Sequence, residues 1–220
     1  METSRYVVDR DEYGHPRQSI DLPQFAADLC KAMGGTLPPV NPDRTSYDLA
    51  RYQSFALDGC EIGLTRGWHR NEWNKITVCI APPADAKLTY NQTPYGEGYK
   101  LPKATITATR PMDRIVADIK RRVIEPAKAP IAKRREHAEQ LRQNANDLAS
   151  TAARLRKSHP NLDIRVEQGA TSSGSFFRQG EGPYLSGTFY ADGSASINHI
   201  GSLTRKQFER LMRALYAEGN

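Results

Sequence analysis

The feature that most restricts the fold is a long run of alanine and leucine at seven-residue spacing. From about Ile131 to Lys157 the apolar residues repeat as a heptad, which is typical of one long amphipathic helix. The repeating residues are Ala138, Leu141, Ala145, Leu148, Ala152 and Leu155. Arg135, Arg142 and Arg156 flank this stripe, so two parallel copies would repel each other there. The pattern therefore favours packing within the chain or against a different partner.

Before and after this helix, apolar and polar residues alternate with a two-residue period, which indicates antiparallel strands. Asp58-Gly59 separates two such runs, and both residues tolerate the positive φ of a tight hairpin turn. Ala191-Asp192-Gly193 separates another pair of runs. The predicted strands cover residues 52–57, 60–64, 76–80, 104–109, 162–166, 184–190 and 195–200.

Capping residues and helical spacing predict further helices. Asp21 begins one that Gly34-Gly35 ends, and a second runs from Pro111 to about Ile124. Pro126 and Pro130 are expected to break this second helix and to separate it from the long helix. Thr204 and Gln207 form a capping box for a final helix. Its predicted buried face consists of Phe208, Leu211, Met212 and Leu215.

These elements predict an α+β fold, with antiparallel sheets and flanking helices, helix–strands–helix order in each half and one long central helix. We expect an N-terminal arm at residues 1–20 and an α+β domain at 21–125. The long helix occupies 126–160, and a subdomain of β-hairpin and C-terminal helix occupies 161–220. Residues 169–182 are rich in glycine and serine and are expected to form a mobile loop.

The net charge of +6 is concentrated in one segment. Residues 110–135 contain nine basic and three acidic residues, so the rest of the chain is neutral overall. Such a segment can neutralise phosphates. The candidate nucleic-acid-binding or partner-binding residues are Arg114, Lys120, Arg121, Arg122, Lys128, Lys133, Arg134 and Arg135. The alternative is a solvated helix surface, in which local ion pairs with Asp118 or Glu125 occupy Arg114, Arg121 and Arg122. No acid is found in the preceding turn for the remaining cations Lys128, Lys133, Arg134 and Arg135, although Glu136 and Glu139 follow.

A second candidate surface is the loop before the third predicted strand. It combines aromatic and cationic residues, which stack on bases or anchor a protein interface. These residues are Trp68, His69, Arg70, Trp73 and Lys75. The alternative is that the tryptophan rings cover the end of the sheet core.

No pattern of catalytic, metal-binding or cofactor-binding residues is found in the sequence. The five histidines are far apart, and there is no C-x-x-C, G-x-S-x-G or Walker A motif. We therefore predict no catalytic residue, no metal and no cofactor. Residues 1–10 lack an apolar stretch, no segment has the length of a membrane helix, and the three cysteines are widely spaced. We expect a cytoplasmic protein with no membrane contact.

The stretch from Thr105 to Pro126, a strand followed by a basic helix, resembles uncharacterised small α+β proteins encoded by phages and other mobile elements. Residues 191–197 and 203–209 resemble them too. The resemblance implies a protein that acts inside a bacterial cell on nucleic acid or host machinery. The leading hypothesis is a non-enzymatic nucleic-acid-binding protein. The alternatives are a protein-binding module, such as a phage-encoded inhibitor of a host defence nucleoprotein complex, and an enzyme of unrecognised type. Oligomeric state stays open.

Overall fold

The computed structural model describes residues 5–10, 16–39, 43, 45–67, 72–178 and 183–217. Contacts divide the chain into two compact units, Met1–Ala138 and Glu139–Asn220. Each unit contains a four-stranded antiparallel sheet accompanied by helices, which confirms the predicted α+β class. Within the described residues, no helix combines the length and the apolar character that crossing a membrane requires.

The first unit combines a two-stranded sheet, a four-stranded sheet and flanking helices. Its elements are β1 (Val7–Arg10), β2 (Pro16–Ile20), α1 (Leu22–Met33), α2 (Ser46–Arg51), β3 (Tyr52–Leu57), β4 (Cys60–Arg66), β5 (Lys75–Ala81), β6 (Lys103–Thr107) and α3 (Met112–Ile119). β1 pairs with β2, and the larger sheet has the order β3-β4-β5-β6. Strands that follow each other in the sequence are therefore neighbours in this sheet, as expected for hairpin connections.

The local signals at the start of this unit act as predicted. The Asp21 carboxylate accepts a hydrogen bond from the backbone N–H of Gln24 at 3.0 Å, and Gly34 ends α1 with a φ of 75°. Asp58 and Gly59 have φ values of 50° and 77° in the turn between β3 and β4. Asp21 thus caps a free backbone N–H at the start of the helix, and the other three residues adopt the positive φ that the helix end or the tight turn requires.

The core of the first unit lies between the helices and one face of the larger sheet. Along β5, buried residues alternate with half-buried ones, so one face packs inward and the other points outward. α1 and α3 bury their apolar stripes against the inner face. The largest fully buried side chains of this core are Ile20, Leu22, Phe25, Leu29, Phe55, Ile62, Leu64, Ile76, Ile115 and Ile119.

The segment predicted as an N-terminal arm contributes to this core. Tyr6 and Ile20 are only 5% and 2% exposed, and β1 and β2 pair through Val7 and Ile20. The Tyr6 ring meets the Phe25 ring edge-on, with 5.2 Å between centroids. Only a few apolar residues anchor this charged segment, so its periodicity is too weak to predict strands.

The expectation that Pro126 and Pro130 break the helix is wrong. α3 continues through a π-helical turn, Lys120–Ile124, into α4, Glu125–Ser158. Proline lacks a backbone N–H, and its ring crowds the carbonyl four residues earlier. For Pro126 that carbonyl lies in the π turn, where hydrogen bonds run five residues back, as from Glu125 to Lys120. A hydrogen bond from residue 126 to the carbonyl four residues earlier is therefore not required there, and the helix continues through Pro126.

The second unit packs the C-terminal part of α4 against its sheet. Its other elements are β7 (Asp163–Arg165), β8 (Ser173–Arg178), β9 (Tyr184–Tyr190), β10 (Ala195–Gly201) and α5 (Arg205–Ala217). The sheet has the order β10-β9-β8-β7. Leu148 and Ala152 are fully buried in one core with Ile164, Phe176 and Phe189. The heptad therefore packs within the chain at these positions, one of the two arrangements that the sequence favoured.

β8 lies in the segment that was expected to be a mobile loop, and this expectation is wrong for residues 173–178. Gly174 pairs across the sheet with Phe189, and Phe176 pairs with Gly187. In each pair a phenylalanine ring occupies the space that a Cβ on the glycine would need. Gly174, one of the glycines that suggested a loop, and Gly187 on β9 therefore make room for two core aromatic rings.

The final helix begins as predicted but is not buried as predicted. The Thr204 hydroxyl accepts a hydrogen bond from the backbone N–H of Gln207 at 3.3 Å, and the Gln207 side chain accepts one from the backbone N–H of Thr204 at 2.8 Å. Phe208 and Leu215 are 51% and 64% exposed, whereas Leu211 and Met212 are half-buried. The described residues therefore cover the apolar face of α5 only in part.

Candidate nucleic-acid interface

The predicted basic residues lie on the helix that follows β6. α3, the π turn and the first part of α4 carry them, and their side chains are exposed except for the half-buried Arg134. Amphipathic spacing explains this placement, because Ile115, Ile119 and Val123 are fully buried on the opposite side. The helix therefore presents a cationic surface to solvent.

Several of these cations have carboxylate partners. Asp118 accepts hydrogen bonds from Arg121 at 3.0 Å and from Arg110 at 2.5 Å. The Arg121 bond, followed by the Arg110 bond, lowers the pKa of Asp118. Arg114 lies 4.0 Å from Asp113 rather than beside Asp118. Local pairing therefore occupies part of the segment, as the alternative interpretation proposed.

Two further cations are paired, and for Lys128 the expectation that the preceding turn holds no acid is wrong. Lys128 lies 2.8 Å from Glu125, one turn earlier in the helix. Arg135 lies 2.5 Å from Asp85 in the loop between β5 and β6. Exposed ion pairs of this kind contribute little to stability and rearrange readily.

Arg134 and Arg135 fasten the β5–β6 loop to α4. The Arg134 Nε donates to the Tyr99 carbonyl at 2.9 Å, and the His137 Nε2 lies 3.1 Å from the Gln92 carbonyl oxygen. With the Arg135–Asp85 pair, these contacts hold three points along the loop. Arg134 and Arg135 therefore have structural roles and are poor choices for a test of ligand binding.

Arg122 connects the helix surface to the sheet. Its guanidinium donates to the Thr105 carbonyl at 3.2 Å, which places a cation at the outer edge of β6. Lys133 lies over Gly98, where an added Cβ would be 2.8 Å from its Nζ. Within the described residues, Lys120, Arg122 and Lys133 form no ion pair with a carboxylate.

Besides the predicted Lys75, the outward face of the β3–β6 sheet carries polar side chains that the sequence interpretation missed. The Lys75 Nζ donates to the Thr107 hydroxyl at 2.8 Å, and Thr77 lies opposite Thr105 across the sheet. Lys103 and Thr105 are exposed at the edge strand. The two-residue alternation of the 103–107 run contained this signal, because it places Lys103, Thr105 and Thr107 on one face.

The aromatic loop is only partly described. Trp68, His69 and Arg70 lie outside the described residues. Trp73 is half-buried and packs against the core of the first unit, which agrees with the interpretation that a tryptophan covers the end of the sheet. Of this candidate group, Lys75 is the side chain that can be placed on the outward face.

Neither a metal site nor a reactive thiol can be assembled from the described residues. They contain no group of three or more histidine, cysteine or acidic side chains positioned to hold a metal. Burial raises the pKa of the thiols of Cys30, Cys60 and Cys79, which keeps them protonated and weakly nucleophilic at neutral pH.

Comparisons of the chain with known protein families, with curated proteins and with solved structures find no match. The function is therefore inferred from the chemistry of the chain's own residues.

Proposed function

We propose that this protein binds nucleic acid without catalysing a reaction, using a basic surface on its first unit. The basic surface comprises Arg114, Lys120, Arg121, Arg122, Lys128 and Lys133 on the helix, with Lys75 and Lys103 on the outward face of the sheet. The observation that supports this most is the position of Arg122. Its guanidinium bonds to the Thr105 carbonyl of β6, the edge strand that also carries Lys103 and the Thr105 and Thr107 hydroxyls.

Phosphate groups match this chemistry. Lysine and arginine neutralise backbone phosphates, and threonine hydroxyls donate hydrogen bonds to phosphate oxygens. The ion pairs of Arg114 and Lys128 have exposed side chains on both sides, so a phosphate can replace the carboxylate at low cost. The positive excess of the segment remains after its internal pairs are counted.

Contacts of this kind position a nucleic acid without identifying its sequence. Trp73, a predicted stacking residue, is half-buried and packs against the core of the first unit. We therefore expect affinity that depends strongly on salt and weakly on base sequence. A surface that contacts about six phosphates loses roughly a thousandfold in affinity between about 50 and 200 mM salt.

The test is fluorescence anisotropy with labelled single-stranded and double-stranded DNA and RNA at several salt concentrations. The variant combines Lys103→Glu, Lys120→Glu and Arg122→Glu, three exposed cations that form no carboxylate pair in the described chain. Each lost phosphate contact lowers the slope of log affinity against log salt by about 0.9 on a duplex. We therefore expect weaker binding to all sequences and a slope reduced by roughly 3.

The matched control combines Lys31→Glu, Lys87→Glu and Lys157→Glu, which change the net charge equally at other exposed positions. We expect the control to retain most of the affinity. Equal losses in both variants would assign binding to net charge rather than to this surface. An absence of binding by the unaltered protein at low salt would refute the proposed function.

A further inference from the structure

The outward face of the β3–β6 sheet carries a row of side chains that crosses all four strands. From β3 to β6 the row consists of Tyr52, Thr65, Thr77 and Thr105, each directly opposite the next. Neighbouring strands lie about 4.8 Å apart, so the row spans roughly 14 Å from one edge strand to the other. Its members are half-buried or exposed, because the alternate residues of the same strands fill the core. The row therefore offers one aromatic ring and three threonine hydroxyls to a ligand.

The ring of Tyr52, at the β3 end of this row, lies over a glycine. A Cβ on Gly63 would lie 3.4 Å from Cε2 of Tyr52 and 3.2 Å from its hydroxyl oxygen. The same hydroxyl donates a hydrogen bond to Oε1 of Glu61 at 3.4 Å, so two residues of β4 hold the ring in place. Tyr52 is nonetheless 39% exposed. An aromatic ring held against a sheet in this way is a surface on which a planar base stacks.

The charges of this face are divided between its two sides. Lys103 lies on β6, Arg122 bonds to the Thr105 carbonyl of the same strand, and Lys75 lies on the adjacent strand β5. On β3 and β4, which the structure describes in full, the outward face carries one charged residue, the acid Glu61. Phosphates are therefore attracted to the β6 side. The β3 side suits a base, because amino groups of bases donate to carboxylates.

We propose that this face binds single-stranded nucleic acid, with an unpaired base stacked on Tyr52 and phosphates held at the β6 side. The threonine hydroxyls between the two sides bond to phosphate or sugar oxygens. This inference rests on the proposed function and specifies which form of nucleic acid the basic surface takes.

Width and side-chain type distinguish a single strand from a duplex as the ligand. The major groove of B-DNA is about 12 Å wide and admits two strands, whereas the outer strands of this face lie roughly 14 Å apart. Minor-groove proteins frequently kink the duplex with large apolar wedges. No phenylalanine, leucine, isoleucine or methionine lies on the outward face of the described strands. A paired base also lies inside the duplex stack, where it cannot cover a tyrosine ring.

The test is fluorescence anisotropy with three labelled probes of equal length, namely a single strand, its duplex and an abasic strand that keeps the phosphates. DNA and RNA single strands are both titrated, because they share the bases and phosphates that the face is proposed to bind. We expect a single strand to bind more tightly than the duplex, although the duplex has the higher charge density. The abasic strand should bind about 5- to 150-fold more weakly than the single strand, the factor that one stacked base contributes.

Substitutions of Tyr52 test where the base stacks. Tyr52→Ala should weaken binding of the single strand by about 5- to 150-fold, whereas Tyr52→Phe keeps the ring and should keep the affinity. Tyr52→Leu keeps an apolar side chain on β3 and should lose affinity as the alanine variant does. Since no phosphate contact is removed, the slope of log affinity against log salt should stay unchanged in all three variants.

The matched control is Tyr190→Ala, because Tyr190 is also 39% exposed but lies on β9 of the second unit. It should bind the single strand normally, and circular dichroism checks that every variant is folded. Equal binding of the abasic and base-containing strands would overturn the inference, as would normal binding by Tyr52→Leu or tighter binding of the duplex. Each of these results leaves the proposed function standing. If the unaltered protein binds none of the probes at low salt, the proposed function fails as well.

Discussion

One carboxylate, that of Asp118, pairs with two arginines of the cationic segment in the first unit. Asp118 receives hydrogen bonds from both Arg121 and Arg110, and its side chain is only 17% exposed. These bonds favour the charged carboxylate and lower its pKa below the ordinary value of about 3.9. Since the carboxylate binds its proton more weakly in the folded chain than in the unfolded chain, its contribution to stability depends on pH.

The sign of this dependence gives a prediction for Asp118→Asn. A lowered folded-state pKa stabilises the fold fully above the unfolded pKa, and that stabilisation is lost as the pH falls through the folded pKa. The variant should therefore melt at a lower temperature than the unaltered protein near pH 7. The difference should shrink below a pH of about 4. Thermal unfolding followed by circular dichroism from neutral to acidic pH measures it.

Asp113→Asn is the matched control, because Asp113 is 78% exposed and lies 4.0 Å from its nearest cation, Arg114. It should change the melting temperature little at any of these pH values. A constant difference between Asp118→Asn and the unaltered protein across the range would contradict the proposed linkage.

Residue-level predictions from the sequence succeed where the determining contacts are local. Asp21, Asp58 and Gly34 act within a few residues of themselves, so the sequence contains the whole reason for their roles. The Arg135–Asp85 pair joins residues separated by 50 positions, and no local pattern indicates it. The basic residues were therefore predicted as a charged segment, whereas the fastening role of Arg134 and Arg135 required the fold.

Among the helices and strands, the continuous helix from Met112 to Ser158 differs most from its prediction. Pro130 lies inside α4, where it removes one backbone hydrogen bond and crowds the carbonyl of Pro126. An interior proline costs a helix up to about 3 kcal/mol relative to alanine, although restricting the unfolded chain offsets part of this.

Pro130→Ala should therefore stabilise the chain, by roughly 1–2 kcal/mol once both effects are included. Denaturant unfolding measures the change in the free energy of unfolding. Pro111→Ala is the control, because Pro111 caps the start of α3, where an N–H is not needed for the helix. Pro111→Ala should bring no such gain. A loss of stability in Pro130→Ala would indicate that the helix is interrupted there in solution.

Elements were predictable where hydrophobic periodicity was strong. The β3–β4 and β9–β10 hairpins and the α1 helix have clear two-residue or helical spacing, and the structure contains each of them. β8 was missed because Gly174 gives no apolar signal, although the Phe189 ring lies over it. The exposed face of α5 was mistaken for a buried one because amphipathic spacing predicts an apolar face and does not identify what covers it.

At the level of the whole chain, two surfaces of different chemistry belong to different units. The basic surface is built on the core that contains Ile115 and Ile119. The exposed apolar face of α5 belongs to the other unit, which has a separate core that contains Leu148 and Phe189. The basic surface is the one proposed to bind phosphates, and it shares no residue with the face of α5.

This arrangement predicts that a substitution on α5 leaves nucleic-acid binding by the first unit unchanged. Substitutions with no shared contacts add their effects within about 0.5 kcal/mol. The triple variant Lys103→Glu, Lys120→Glu and Arg122→Glu should lose nucleic-acid affinity, whereas Phe208→Asn should keep it. The variant that combines all four substitutions should lose no more affinity than the triple variant. Anisotropy titrations of the three variants make the comparison, and a further loss in the combined variant would mean that the two surfaces are coupled.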